Sequence, residues 1–341
     1  CLNLLEQPTS GEIYINGELQ HFRSPHDAIA KKIGMVQQHF MLLEPCTVAE
    51  NIVYGREPRK KGLFFDRETA VHITEELCEK YGFDCIDIQS ECLNRDLEAG
   101  KITLEEMGAW FQSHHLKMLS YNALCFFNMK QTQEEKDAVM AKLDQIIEDC
   151  NKLQCKMIVV VPSMDLTVPA TLDEIKADAV AVLKEMVKKV EPHGIKLSIE
   201  FCGCPTMSIN RFEDAYAIVE AVDSPYVGVT LDQYHFYAMG SGWDTLEKAD
   251  GRKIFVWHLN GMENMPCGAA YNNDEKRLWP GEPGDCLDHK RYADTLKKIG
   301  FEGDVCTMEV FRPDYYKLSN EENIKTAAEA TRAHVAKYWG E

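Results

Sequence analysis

Short runs of apolar and β-branched residues alternate with longer amphipathic stretches from residue 76 to the end of the chain. Stretches 137–153 and 172–190 carry Lys and Glu on one face and Ala, Ile, Leu or Val on the other, which predicts helices. Seven runs of four to eight residues predict strands: 85–88, 117–124, 156–161, 195–200, 226–232, 253–258 and 304–309. Strands that alternate with helices form parallel β/α units, so the pattern predicts the α/β class and a (β/α)8 barrel. An eighth strand is expected before residue 76.

A metal-binding or proton-transferring residue stands near the end of each of the last four predicted strands: Glu200, Asp232, His258 and Glu309. In a closed parallel barrel the carboxyl ends of all strands lie on one face, where barrel enzymes perform their chemistry. A single acid at a strand end usually caps a helix or is solvated, but three converging carboxylates would repel one another. Three carboxylates and one imidazole suit Mn²⁺, Mg²⁺, Co²⁺ or Zn²⁺, whereas a structural zinc site favours thiolates. We therefore expect these four side chains to bind one divalent metal ion.

The charge of the chain disfavours nucleic acid as a partner. The formal net charge is −18, and residues 1–70 hold 8 basic and 9 acidic side chains, which leaves 29 basic and 46 acidic for the rest. The acidity therefore belongs to the predicted barrel. A surface of this sign does not suit a phosphate backbone or an anionic membrane surface.

The cysteines and the apolar runs indicate where the protein resides. The 13 cysteines stand mostly singly within apolar runs, and no C-x-x-C pair occurs, which predicts free thiols and a reducing cytoplasm. No stretch approaches the roughly 18 apolar residues of a spanning helix, and no basic-then-apolar leader opens the sequence, so we expect no membrane insertion. Because the first residue is Cys1 rather than Met, we also expect the chain to begin inside a longer reading frame.

Residues 1–70 follow a different pattern, with a strand-turn-strand signal at 11–17, a helix-like stretch at 24–32, a strand at 33–37 and an apolar segment at 47–52. The motifs QPTSGEIYING, IGMVQQHFML and TVAENIVYG occur in the order found in the ATPase subunits of sugar-type ABC transporters, which this region resembles. The G-x-x-x-x-G-K-[ST] phosphate-binding loop, the signature motif and the acidic Mg²⁺-binding strand of that family do not occur. We therefore expect a truncated fragment over 1–70 that forms a small β-rich appendage and binds no ATP, followed by a barrel over 71–341.

Six further motifs lie near the predicted strand ends: HHLKMLSYNALCFFN (114–128), LSIEFCGCP (197–205), LDQYHFYAMGS (231–241), ADGRKIFVWHL (249–259), RLWPGE (277–282) and MEVFRPDYYKLSNEE (308–322). Together they resemble the xylose-isomerase-like TIM-barrel superfamily of sugar isomerases and epimerases, and within it the 2-keto-myo-inositol isomerases. The resemblance implies a metal-dependent intramolecular oxidoreductase that acts on a keto-inositol or a related sugar or cyclitol. The metal ligands that it implies are the same four residues that the strand ends indicate.

The implied reaction removes a proton α to a carbonyl, passes through an enediolate and returns the proton to the adjacent carbon. Glu200 and Glu309, on non-adjacent strands, are expected to share the base and acid roles, and their order stays open. His235, in the D-x-x-H pattern, is expected to act on substrate oxygens or else to cap the following helix. The resemblance further implies substrate contacts from three residues, of which the first alternatively orients Glu309: Arg312, Trp279 and Asn122.

Two departures from the family pattern leave the identity of the substrate open. Gly261 stands where an acid often follows His258, and Pro283 and Cys286 stand where a glycine and an acid are typical. The first alternative to an active isomerase is a fusion remnant whose catalysis is impaired by the ABC-like N-terminal region. The second is an abasic-site endonuclease, which shares the barrel but would need more strand-end histidines and a basic groove.

The first strand of the barrel has no counterpart in the expected place, because the ABC-like region stands there. A barrel of seven strands exposes two unpaired edges. Run 61–66, which precedes a helix predicted over 68–81, is the expected replacement. It would insert in parallel between the strands at 85–88 and 304–309.

Overall fold

The computed structural model describes residues 13–15, 18–20, 59–60, 64–65, 80–268, 274–301 and 306–340. The chain forms two compact units, Cys1–Cys46 and Thr47–Glu341. In the first unit, strands β1 (Ile13–Ile15) and β2 (Glu18–Gln20) pair antiparallel as a hairpin that begins in the predicted strand-turn-strand. The elements predicted at 24–32, 33–37 and 47–52 lie outside the described residues.

Seven parallel strands form the main sheet of the second unit: β5 (Cys85–Gln89), β6 (Lys117–Cys125), β7 (Met157–Val161), β8 (Lys196–Glu200), β9 (Val227–Asp232), β10 (Ile254–Leu259) and β13 (Cys306–Met308). Their order in the sheet is β13-β10-β9-β8-β7-β6-β5, so each strand lies beside the barrel strand that precedes it in the chain. A separate antiparallel pair, β11 (Gly261–Met262) and β12 (Arg277–Leu278), follows β10. The sheet is a nearly closed barrel, and the predicted fold class is confirmed.

Helices connect the strands: α1 (Ser90–Glu98), α2 (Leu104–Ser113), α3 (Gln133–Leu153), α4 (Leu172–Val190), α5 (Phe212–Val222), α6 (Gln233–Ala238), α7 (Trp243–Leu246), α8 (His289–Lys298) and α9 (Asn320–Tyr338). Reciprocal capping boxes begin four of them, formed by the pairs Thr103 and Glu106, Thr132 and Glu135, Thr171 and Glu174, and Ser319 and Glu322. Each box satisfies two backbone N–H groups that a helix start leaves free. Within the described residues, no helix combines the length and the apolar character needed to cross a membrane.

The apolar core lies inside the barrel and between the sheet and its helices. Strands β9 and β10 are buried along their whole length, because the barrel interior covers one face of the sheet and helices cover the other. On α4, buried residues recur every three or four positions: Ile175, Ala179, Leu183, Met186 and Val190. This spacing keeps one stripe of the helix against the sheet. Complete burial of each large aliphatic side chain contributes about 1.5–3 kcal/mol.

Strands β5 and β13 are the two edges of the described sheet. The expected insertion of run 61–66 between them is wrong for the part of the run that is described, because β4 (Phe64–Phe65) pairs antiparallel with β3 (Arg59–Lys60). Pairing across three intervening residues closes a small loop, whereas a parallel insertion requires a long crossover. The helix predicted over 68–81 lies outside the described residues except for Lys80 and Tyr81.

Candidate functional site

Four side chains meet at the carboxyl end of the barrel. Glu200 and Asp232 are the last residues of β8 and β9, His258 is next to last in β10, and Glu309 follows β13. Each side chain offers one ligand atom, and these four atoms all lie within 4.8 Å of one another. The parallel register aligns the strand ends, with Asp232 opposite His258. The fold therefore brings together the four residues that the sequence nominated as metal ligands.

His258 Nδ1 faces all three carboxylates. It lies 2.9 Å from Glu200 Oε1, 3.2 Å from Glu309 Oε2 and 3.6 Å from Asp232 Oδ2. Despite these distances, within the described residues neither His258 Nδ1 nor Glu200 Oε1 has a hydrogen-bond partner of acceptable geometry. Buried polar atoms without partners are costly, and a cation between them would satisfy both. The donor set fits a divalent metal ion.

The four side chains bring three carboxylates, but only one imidazole, close together. Burial raises the pKa of Glu200, and the neighbouring Glu309 carboxylate adds to this against the lowering effect of His258. Burial acts to lower the pKa of His258, but the Glu309 and Glu200 carboxylates outweigh it and hold this pKa well above its usual value. A retained histidine proton thus offsets part of the carboxylate charge. Metal binding would require its release, because a ligating imidazole must offer a lone pair.

Arg277 is the main site residue that the sequence analysis missed. Its Nη1 donates to Asp232 Oδ2 across 2.8 Å and to the Glu309 carbonyl oxygen across 3.2 Å. Its Nη2 lies 3.3 Å from His235 Nε2 and 3.5 Å from Glu309 Oε2. The guanidinium also lies over the ring of Tyr234, 4.5 Å from its centroid. Arg277 therefore connects the four candidate metal ligands (Glu200, Asp232, His258 and Glu309, together the metal group) with His235 and Tyr234.

The position of Arg277 explains why it escaped prediction. It begins the two-residue strand β12, which pairs with β11 outside the barrel sheet, so no long apolar run precedes it. The motif RLWPGE contains it and was the available signal. Burial acts to raise the pKa of Asp232, but Arg277, His235 and His258 together outweigh it and hold this pKa well below its usual range.

A cavity of about 240 Å³ adjoins the metal group. Four of the residues nominated from the sequence line it: Glu200, Glu309, His235 and Asn122. The remaining lining residues were not nominated: Gln89, Ser90, Glu91, Ala123, Cys125, Val161, Cys202, Arg277 and Phe311. Several of these stand at the ends of β5, β6 and β7, and their position at strand ends is the signal that the sequence offered for them.

The His235 ring faces the site rather than the helix end. Asp232 is the N-cap residue of α6, and its Oδ1 accepts from the His235 backbone N–H across 3.0 Å. The ring instead approaches Arg277 through Nε2. Asp232 therefore caps this helix, in place of the alternative in which His235 does so.

Trp279 and Arg312 are not among the described cavity-lining residues. Trp279 stacks on Tyr315, with ring centroids 4.8 Å apart. Arg312 Nη2 donates to Glu263 Oε1 across 2.7 Å, and its Nη1 donates to the Arg277 carbonyl oxygen across 3.3 Å. In this structure Arg312 therefore supports the segment that carries Arg277.

A parallel barrel that gathers three carboxylates and one histidine at its carboxyl end is the architecture of a metal-dependent barrel enzyme. The family model described as xylose isomerase-like TIM barrel matches residues 76–334, and the chain belongs to this family. The family predicted from the motifs is thereby confirmed.

Relatives with assigned activities cover the same part of the chain. An inosose isomerase of Bacillus velezensis is 41% identical over 265 residues, which is 77% of this chain and 91% of that protein. The inosose isomerase of Bacillus subtilis is 40% identical over 265 residues, 77% of this chain and 92% of that protein. A crystal structure of IOLI protein with a bound zinc atom is 39% identical, has a TM-score of 0.74, and is matched over 80% of this chain and 95% of that one. An isomerase, the predicted class of enzyme, is confirmed.

The N-terminal region matches a different class of protein. The guanosine import ATP-binding protein NupO of Bacillus subtilis is 43% identical over 96 residues, which is 28% of this chain and 18% of that protein. The predicted resemblance to ABC transporter ATPases is confirmed, and the match spans about a fifth of the transporter subunit.

Proposed function

We propose that the barrel is a metal-dependent isomerase that moves a proton between adjacent carbons of a keto-inositol or a closely related sugar. The observation that carries this proposal is the group of Glu200, Asp232, His258 and Glu309, of which the first three are buried and two line a cavity. The inosose isomerase relatives support the substrate class, because the chain covers nearly all of their length.

Glu200, Asp232, His258 and Glu309 would hold one divalent cation. When bound, such a cation polarises a carbonyl and neutralises negative charge that develops on its oxygen. Asp232 is the member least free to do other work, because Arg277 and Asn260 both donate to its carboxylate. It therefore serves as a fixed ligand.

Glu200 and Glu309 carry the proton transfer in this proposal. Strands β9 and β10 separate β8 from β13 in the sheet, so the two carboxylates reach the cavity from different strands. One takes up the proton α to the substrate carbonyl, which gives the enediolate, and the proton of the adjacent hydroxyl moves to the former carbonyl oxygen. The other then donates a proton to the former carbonyl carbon, so that the hydroxyl-bearing carbon becomes the new carbonyl. A positioned general base or acid contributes about 10²–10⁴-fold to the rate.

Arg277 and His235 orient the substrate. Both line the cavity, and the Arg277 Nη2 group and the His235 ring lie side by side, 3.3 Å apart. Both side chains carry N–H donors suited to carbonyl and hydroxyl oxygens. Asn122 adds an amide from the end of β6, which suits a polyhydroxylated ring.

The remaining assignments follow from the same division of the chain. Residues 71–341 form the catalytic barrel, and residues 1–70 form a separate segment similar to ABC transporter ATP-binding proteins. Eight of the described cysteines carry free thiols, which supports a reducing, cytoplasmic location: Cys92, Cys125, Cys150, Cys155, Cys204, Cys267, Cys286 and Cys306.

The test combines metal analysis with isotope exchange. Purified protein would be loaded separately with Mn²⁺, Co²⁺ and Zn²⁺, and the bound ion counted. Solvent deuterium incorporation into a keto-inositol and into ketohexoses would then be followed by NMR. We expect one ion per chain and faster exchange into the keto-inositol. Loaded protein that exchanges no proton in any substrate is an impaired remnant, and cleavage of abasic DNA would replace the proposal with the nuclease alternative.

A further inference from the structure

Asp87 faces the Nε2 edge of the His258 imidazole, whereas the three carboxylates face Nδ1. The Asp87 Oδ2 atom is 3.8 Å from His258 Nε2. The Asp87 side chain is 12% exposed and that of His258 is fully buried. Within the described residues, neither Asp87 Oδ2 nor His258 Nε2 has a hydrogen-bond partner. Two unsatisfied buried atoms of opposite character thus face each other.

The second oxygen of Asp87 is already engaged. Ser120, which lies opposite Asp87 in the pairing of β5 with β6, donates its hydroxyl to Oδ1. Burial raises the pKa of Asp87 against the lowering effect of His258 and of the Ser120 and Thr307 hydroxyls. The hydrogen bond from Ser120 engages Oδ1 and leaves Oδ2 as the oxygen that faces the imidazole.

The arrangement depends on closure of the barrel. Strand β5, which carries Asp87, and strand β10, which carries His258, are separated in the sheet by β6, β7, β8 and β9. They face each other because the sheet curls through nearly a full turn. No local sequence pattern joins the two residues, which stand 171 positions apart in the chain.

A neutral imidazole carries one proton, on either ring nitrogen. For His258 to offer the Nδ1 lone pair to a cation, its proton must sit on Nε2, where a buried N–H requires an acceptor. Asp87 Oδ2 is the carboxylate oxygen that faces this nitrogen. We infer that Asp87 is a positioning residue that holds His258 in the Nε2–H form and raises its strength as a metal ligand. This inference rests on the proposed metal site.

Metal affinity tests the inference without substrate. The affinity of the full chain for Zn²⁺ and Co²⁺ would be measured by competition with a chromophoric chelator for wild type, Asp87→Asn and Asp87→Ala. We expect a loss of about 10–100-fold in both variants, the usual effect of removing a partner that orients a ligating histidine. Asp87→Glu restores the carboxylate and should recover much of the affinity.

Asp149→Asn is the matched control, because Asp149 is another buried aspartate. It lies on α3 and accepts a hydrogen bond from the Gln145 side chain. We expect it to bind metal like wild type. The visible absorption of bound Co²⁺ gives a second readout, since altered coordination changes it whereas a general loss of stability does not. Asp87 variants with wild-type affinity and spectrum would overturn the inference. Wild-type protein that binds no divalent ion would instead overturn the proposed function.

Discussion

Arg277 and Asp232 form an ion pair whose side chains are 1% and 0% exposed, with Nη1 and Oδ2 2.8 Å apart. Removing one partner of such a pair leaves an uncompensated charge in a medium that solvates it poorly. The pair joins the short strand β12 to the end of β9. It therefore couples the stability of the barrel to the arrangement of the candidate metal group.

Arg277→Met should destabilise the metal-free protein by about 3–5 kcal/mol, because Asp232 loses its buried counter-charge. Urea denaturation at neutral pH measures the change. Arg252→Met is the control, since Arg252 pairs with Asp250 at the surface, where an ion pair contributes about 0–1 kcal/mol. Equal losses in the two variants would show that burial of the Arg277 pair has no special effect.

Glu200→Gln and Glu309→Gln should each reduce solvent deuterium exchange into substrate by about 10²–10⁴-fold, because each removes a positioned base or acid. Far-UV circular dichroism should stay unchanged, since glutamine preserves the side-chain shape. Exchange at the wild-type rate in both variants, each with metal bound, would remove the two glutamates from proton transfer.

Metal removal should lower the thermal stability of the barrel. An ion that binds only the folded protein stabilises it by about 2.7 kcal/mol at a concentration 100 times its Kd. Dialysis against a chelator should therefore lower Tm, and Zn²⁺ or Co²⁺ should restore it. In the His258→Gln variant, the rise in Tm on adding metal should be much smaller. An equal Tm with and without metal in wild type would contradict binding at a buried site.

Acid should destabilise the protein through His334. Burial, together with neighbouring His289, lowers the pKa of His334 to about 3, and its ring packs beside Trp257 and Tyr338. In the unfolded chain this pKa is about 6.5, so unfolding takes up a proton at intermediate pH. The stability that neutral His334 contributes is complete above pH 6.5 and is lost as the pH falls towards 3.

The expected loss between pH 7 and pH 4.5 is on the order of 2–3 kcal/mol from this residue. Chemical denaturation at the two pH values measures it. His334→Phe keeps an aromatic ring without a titrating nitrogen and should remove most of that loss. His193→Gln, at an exposed position, should keep the wild-type pH dependence. A His334→Phe profile that matches wild type would assign the acid sensitivity to other groups.

The strands and the four nominated ligands were accessible from sequence because they depend on local pattern. A parallel strand buried on both faces must be apolar along its length, so the run 226–232 predicts β9 (Val227–Asp232) to within one residue. A polar residue that ends such a run must lie at the carboxyl face of the barrel, as Glu200 and Asp232 do.

The surroundings of those ligands were decided by tertiary structure. Arg277 reaches Asp232 from a two-residue strand outside the barrel, Arg312 supports that strand instead of lining the cavity, and Asp87 meets His258 across the barrel interior. These contacts depend on the path of loops and on the curl of the whole sheet, which leave no periodic trace in the chain. The pairing of Phe64–Phe65 with Arg59–Lys60 was missed for the same reason, since several partners satisfy a short apolar run equally well until the fold supplies one.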